Sequence, residues 1–197
     1  QDYHSEKIIA AIPDGVNTIL DVGSGSGGLA EKLINNNYKV DCVSPSNYLS
    51  DAIAGKLKDN VQIHRTTFEK LKIEKSYDLV LFSESFQYVN IKKTLNKIPN
   101  IIKEKGHLLI CDFFRQPGTG TKPLGGGHDW GVFEKILSSH EFLELKDIKN
   151  IYKKINLYLS KLTEFNASNQ YAIGIAGLYK FLEFFPDFKN IININFH

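Results

Sequence analysis

The 197-residue chain is poor in several things, and each shortage excludes something. It has two cysteines, Cys42 and Cys111, so no disulfide framework is expected. Both sit in apolar runs that read as strands, where a thiol behaves as a small buried hydrophobe. Arginine occurs only at Arg65 and Arg115, and the many lysines are interspersed with acids, as in KLKIEKSYD. A net charge of +2 without a concentrated basic segment argues against a nucleic-acid partner. No apolar run approaches the roughly 20 residues that cross a bilayer, so no membrane span is expected. The six histidines show no pair at ligand spacing, so no metal is expected. Methionine is absent and the chain opens on Gln1, so its natural start is expected upstream. With no leader visible, the expected compartment is the cytoplasm.

What remains is an ordinary globular composition, 42% hydrophobic and 23% charged, on a length that suits one domain with a sizeable core. Strand-like runs alternate with helical patterns, the signature of stacked βαβ units around a parallel sheet. A leading helix, SEKIIAAI, stops at Pro13. NTILDV, YKVDCVS, VQIHRT, SYDLVLFS, HLLICDFF and FLELKDI read as successive strands. Helices are predicted over 27–36, 47–58, 91–105 with Gly106 as its stop, and 129–140. A Gly- and Pro-rich loop covers 115–127. Beyond Ile148 the periodicity turns helical, with Ile151, Ile155, Tyr158, Leu159 and Leu162 on one face and a second apolar stretch from Tyr171 to Phe188. These predict a helical cap on the sheet. The tail NIININFH alternates strictly and suits a last strand. The expected organisation is a core over 1–148 and a substrate-side extension over 149–197.

The most informative stretch is LDVGSGSGGLA, from Leu20 to Ala30. Gly23, Gly25 and Gly28 satisfy the dinucleotide spacing G-x-G-x-x-G, while Gly23, Gly25 and Gly27 satisfy G-x-G-x-G. Either lets a ligand touch the backbone at a strand-to-helix turn. The flank separates them. Asp21 stands two residues before the first glycine, where a carboxylate would repel a pyrophosphate but suit an ammonium group. The Tyr-x-x-x-Lys from Tyr88 to Lys92 has its serines too close to form a hydride-transfer set.

With LDVGSGSGGLA followed in order by SYDLVLFSESFQYV and GHLLICDFF, the chain resembles the class I S-adenosylmethionine-dependent methyltransferases over about 18–148. VSPSNYL and SESFQYV resemble the small-molecule branches acting on quinones, tocopherols and cyclopropane fatty acids. The resemblance implies a doubly wound, Rossmann-like α/β fold with a mostly parallel seven-stranded sheet and a helical C-terminal cap. It implies S-adenosyl-L-methionine as cofactor. Asp21, Gly23, Ser24 and Gly25 would hold its methionine portion, with Gly27 opening the helix. Ser44 and Pro45 stand where the family usually places an acid for the ribose, and Thr67 where it commonly places an acid for the adenine. Phe68 would offer its backbone amide to the ring. Ser83 leaves the fourth strand at the cofactor's edge.

Ligands of open α/β sheets sit beyond the carboxyl ends of the strands. Glu84 and Tyr88, after the fourth strand, are therefore expected on the acceptor wall. In GGGHDWG, His128 follows three glycines, which suggests a closing loop that carries a base, and Asp129 reads as a helix N-cap. Tyr3 and His4 begin a helix that in the family lies over the pocket. The expected reaction is methyl transfer to oxygen, nitrogen or carbon of a small uncharged or amphipathic acceptor. Two alternatives stand beside it: an RNA or protein methyltransferase, and a catalytically silent binding or scaffold domain, to which Ser44 and Thr67 lend support.

Overall fold

A computed structural model describes residues 2–115, 127–140, 143–150 and 188–196. Within them the strands are β1 Thr18–Val22, β2 Lys39–Val43, β3 Gln62–His64, β4 Tyr77–Ser83, β5 Ile102–Arg115, β6 His128–Asp129, β7 Leu143–Asn150 and β8 Phe188–Phe196. The helices are α1 Asp2–Ile9, α2 Gly28–Asn35, α3 Asn47–Leu57, α4 Ile91–Lys97 and α5 Trp130–Leu137. One sheet contains all eight strands in the order β3-β2-β1-β4-β5-β8-β7, with the two-residue β6 beside β5. The first five strands run parallel, and β8 runs antiparallel between β5 and β7. The strand order reverses beside β1, between β2 and β4, which puts the glycine bend at a topological switch point.

The two faces of the sheet follow from strand alternation. On one face Leu20, Val22, Val80, Phe82 and Phe114 pack with Leu95 of α4 and Phe133 of α5. On the other, Ile19, Val40, Cys42, Leu79 and Leu109 pack with Leu33 of α2, Ile53 of α3 and Ile8 of α1. The sheet is therefore covered on both sides, as a doubly wound fold requires. Both cysteines are buried and reduced. Burial pushes the Cys42 thiol up to about 12, so it is an inert filler.

Short polar side chains set the helix starts. Ser46 Oγ accepts from Leu49 N at 3.3 Å for α3, Asn90 Oδ1 from Lys93 N at 3.0 Å for α4, and Asp129 Oδ1 from Val132 N at 3.0 Å for α5. The helix expected over 91–105 is shorter than its pattern. It ends at Lys97, a single 3-10 turn holds Ile98–Asn100, and β5 begins at Ile102. Pro99 is the cause, since it lacks the amide that continued α-helix needs. Gly106 lies inside β5 rather than stopping a helix. A Cβ there would meet Ile102 Cγ1 at 2.8 Å and the Lys103 carbonyl at 2.9 Å, at the irregularity where Tyr77 pairs Ile102 but Leu79 pairs His107. The helical cap expected within 149–197 lies mostly outside the described residues. The alternating tail forms β8, and β6 is a strand that sequence periodicity missed.

Candidate functional site

The bend after β1 is held from three directions. Gly23 N donates to the Val43 carbonyl at 2.8 Å, Gly27 N donates to the Ser24 carbonyl at 2.9 Å, and Ser24 Oγ donates to the Asp21 carbonyl at 2.8 Å. Gly23, Gly25 and Gly27 have φ of 77°, 54° and 81°, the left-handed region that favours glycine. Their surroundings differ. A Cβ on Gly23 would collide with Ser85, and one on Gly27 would press on Ile53. One on Gly25 would meet no atom of the described residues within 4 Å. Gly25 is thus bare without any packing reason among the described residues, as expected where a ligand approaches the main chain.

Asp21, at the mouth of this bend, is 1% exposed, and its Oδ2 has no hydrogen-bond partner among the described residues. Burial raises its pKa to about 7, opposed only by the Ser24 hydroxyl. A buried carboxyl oxygen left unsatisfied costs about 1–3 kcal/mol and invites a donor, best a cationic one. The residues present therefore fit a ligand that brings an ammonium group to Asp21 and a flat or slender body across Gly25.

The neighbouring expected contacts lie along the same edge. Ser44, at the end of β2, is buried, and its amide donates to the His64 carbonyl at 3.0 Å, while Pro45 next to it is exposed. Thr67 is half-buried at the start of a 3-10 turn, Phe68–Lys70. The Phe68 ring is buried in the core, edge-on to Phe82 at 5.2 Å, so only its backbone is available to a ligand. Ser83 ends β4, and its hydroxyl lies 3.3 Å from His4 Nε2 of α1. Glu84 follows with φ of 58°, an uncommon conformation for a residue with a side chain, and its amide donates to the Cys111 carbonyl at 2.9 Å. Its carboxylate is half-exposed, with Oε1 4.0 Å from His4 Nε2.

Tyr88 is 80% exposed at the end of the 3-10 turn Phe86–Tyr88, beyond β4. His128 does not ride on an open loop. It lies in β6 opposite Phe114, half-buried, with its ring edge-on to Phe86. Its Nε2–H donates to the Phe86 carbonyl at 2.9 Å. Burial lowers its pKa, the Phe86 and Val89 carbonyls oppose the shift, and Arg115 adds to it. The ring is accordingly neutral and fastens the Phe86–Tyr88 turn from behind.

Two contributors escaped the sequence reading. Asp112, fully buried near the end of β5, accepts from Gln87 N at 3.0 Å and from Phe113 N at 2.8 Å. Ser85 Oγ donates to the Val22 carbonyl and so joins the turn after β4 to the glycine bend. Asp112 left one signal, an acid inside the otherwise apolar run Leu108–Phe114. Ser85 left none.

The family model described as a methyltransferase domain matches residues 20–110, the span from β1 into β5. Over this span the chain is similar to the class I S-adenosylmethionine-dependent methyltransferases. Among curated members of that family, it is 28% identical over 158 residues to a malonyl-[acyl-carrier protein] O-methyltransferase of Ilyobacter polytropus, covering 77% of this chain and 60% of that protein. It is 29% identical over 147 residues to a ubiquinone biosynthesis O-methyltransferase of Rickettsia bellii, covering 66% and 61%. The chain thus spans about three fifths of the length of these curated relatives. In fold it matches the geranyl diphosphate C-methyltransferase of Streptomyces coelicolor, with a TM-score of 0.77 at 13% identity over 100% of this chain and 76% of that one. It also matches the [4+2]-cyclase SpnF, with a TM-score of 0.73 at 14% identity over 98% and 80%. A cyclase on this fold shows that the site, not the architecture, must carry the functional argument.

Proposed function

We propose that this chain binds S-adenosyl-L-methionine across the glycine bend and transfers its methyl group to a small organic acceptor. The single observation that carries the reading is the pairing of a buried, unsatisfied Asp21 Oδ2 with the bare left-handed Gly25. Bound there, the cofactor supplies the methyl group as an activated sulfonium and leaves as a neutral thioether.

In this reading Asp21 receives the ammonium group, and the backbone of Gly23, Ser24, Gly25 and Gly27 follows the methionine portion. Ser44 and Pro45 face the ribose, and the Thr67 hydroxyl and Phe68 backbone face the adenine. Ser83 borders the reacting end. Hydroxyls at Ser44 and Thr67 make weaker acceptors than carboxylates, so this half of the clamp grips less tightly. Glu84 and Tyr88 form the acceptor wall, with His128 holding that wall in place. The names of the curated relatives, a carrier-protein-bound malonyl group and a quinone precursor pathway, support a small acceptor over RNA.

Calorimetry with S-adenosyl-L-homocysteine tests the proposal. Saturable heat in the wild type that disappears in Asp21→Ala is expected. No heat in the wild type rejects the reading and favours the silent binding domain.

A further inference from the structure

The turn after β3 is braced from a helix far along the chain. Within it, Lys70 N and Leu71 N donate to the Thr67 carbonyl at 3.1 and 3.0 Å. Thr67 does not use its own hydroxyl to cap the turn. So short a helix leaves its last carbonyls without partners of its own. Lys97, the last residue of α4, supplies them. Its Nζ donates to the Glu69 carbonyl at 3.0 Å and to the Leu71 carbonyl. The same ammonium lies 5.6 Å from the centroid of the Phe68 ring. A second strut leaves the other end of α4, where Asn90 N donates to Glu69 Oε1 at 3.3 Å. Ile91 and Leu95 anchor α4 in the core, so both struts rest on a packed element.

Resting on the reading above that Thr67 and Phe68 face the adenine, we propose that Lys97 is a positioning residue for the cofactor's base. It touches no part of the ligand. It holds the turn so that the Thr67 hydroxyl accepts from the exocyclic amino group while the Phe68 amide donates to the adjacent ring nitrogen.

The absence of an acid at Thr67 makes this bracing matter. A carboxylate only accepts, so it would select an amino group by itself. A hydroxyl rotates to accept or donate, and so discriminates weakly between an amino group and a carbonyl. The fixed N–H of Phe68 must then carry the selectivity, and its direction is set by the turn that Lys97 holds.

Calorimetry with two compounds tests this. In S-inosyl-L-homocysteine a carbonyl replaces the amino group of S-adenosyl-L-homocysteine, and the adjacent ring nitrogen carries a hydrogen. That hydrogen would face the Phe68 N–H, donor against donor, so the wild type should prefer the adenosyl compound about tenfold or more. Lys97→Met keeps an apolar stem and removes the donors. It should weaken the adenosyl compound roughly tenfold, as when the turn is in place a tenth of the time. The inosyl compound should change little, so most of the preference is lost. Lys97→Arg, which still donates to two carbonyls, should restore it. Cooperative melting verifies folding, and should Lys97→Met fail to fold, Lys97→Gln, too short to span both carbonyls, carries the same expectation. Equal losses for both compounds, an unchanged preference in the variant, or no preference in the wild type overturns this proposal alone. Failure of the wild type to bind the adenosyl compound removes the parent reading, and this one with it.

Discussion

Ser85 closes directly onto the glycine bend. Its Oγ donates to the Val22 carbonyl, and its Cβ lies 2.4 Å from where a Cβ on Gly23 would stand. The turn after β4 and the bend after β1 are therefore one packed unit, with no room for a methyl group between them. Gly23→Ala should destabilise the protein by roughly 3 kcal/mol, combining left-handed strain with overpacking. Ser85→Ala should cost about 1 kcal/mol for the lost hydrogen bond. Combining Gly23→Ala with Ser85→Gly should recover part of the loss, because the clash is shared. Chemical denaturation of the wild type, Gly23→Ala, Ser85→Gly and the double variant measures this; strictly additive losses would show that the two segments are not coupled.

Asp21 makes stability depend on pH near neutrality. Burial raises its pKa from 3.8 to about 7, so the folded state holds a proton that the unfolded state has released. Its contribution is full below 3.8 and is lost as pH rises through about 7. Without cofactor, Asp21→Asn should flatten the fall in melting temperature across that window and raise it at neutral pH. A slope unchanged by the substitution would place the titration elsewhere.

Asp78 works in the opposite direction. Burial alone would raise its pKa, but donors outweigh it: Lys103 Nζ at 2.9 Å, the Thr18 hydroxyl and amide at 2.7 and 2.8 Å, and Asn17 N at 3.1 Å. The result lies well below the ordinary carboxylate range. Its stabilisation is present above the unfolded value of 3.8 and fades as pH falls beneath it. Asp78→Asn should be clearly less stable than wild type at neutral pH, with the gap narrowing in acid. Melts of both proteins along a pH series give the comparison.

At Gly25 structure and ligand binding should separate. Valine there has space but must adopt φ of 54°, a strain of about 1–3 kcal/mol. Gly25→Val should stay folded, with a modest drop in melting temperature, yet lose the heat of binding S-adenosyl-L-homocysteine. Retained affinity would move the ligand away from the bend.

Asp112 should govern the turn after β4. In Asp112→Asn one carboxylate oxygen becomes an NH₂ group, which leaves a buried donor facing another donor. The expected cost is about 1–3 kcal/mol, with faster hydrogen exchange at the Gln87 amide. Unaltered exchange at Gln87 would mean that other contacts fix the turn.

Much of this was legible along the chain where the information is local. The glycine bend announced itself through spacing and Asp21, the strands through alternation, and the start of α5 through Asp129. Local reasoning failed where a short-range rule competed with a longer one. The lysine-rich stretch 101–106 carries helix-compatible residues, but Pro99 had already ended α4, and pairing with β4 drew the segment into β5. His128 read as a loop base because its three glycines are visible in sequence, whereas its Phe86 partner lies 42 residues away. Ser85 and Asp112 were silent for the same reason: their bonds reach 63 and 25 residues along the chain.

The position of β8 carries a consequence for assembly. The last of the described strands in sequence is an interior strand in space, flanked by β5 and β7. Until residues 188–196 arrive, β5 presents a bare row of amides and carbonyls along an apolar strand, and β7 has nothing to pair with. A molecule lacking residues 188–196 would therefore be a template for edge-to-edge aggregation.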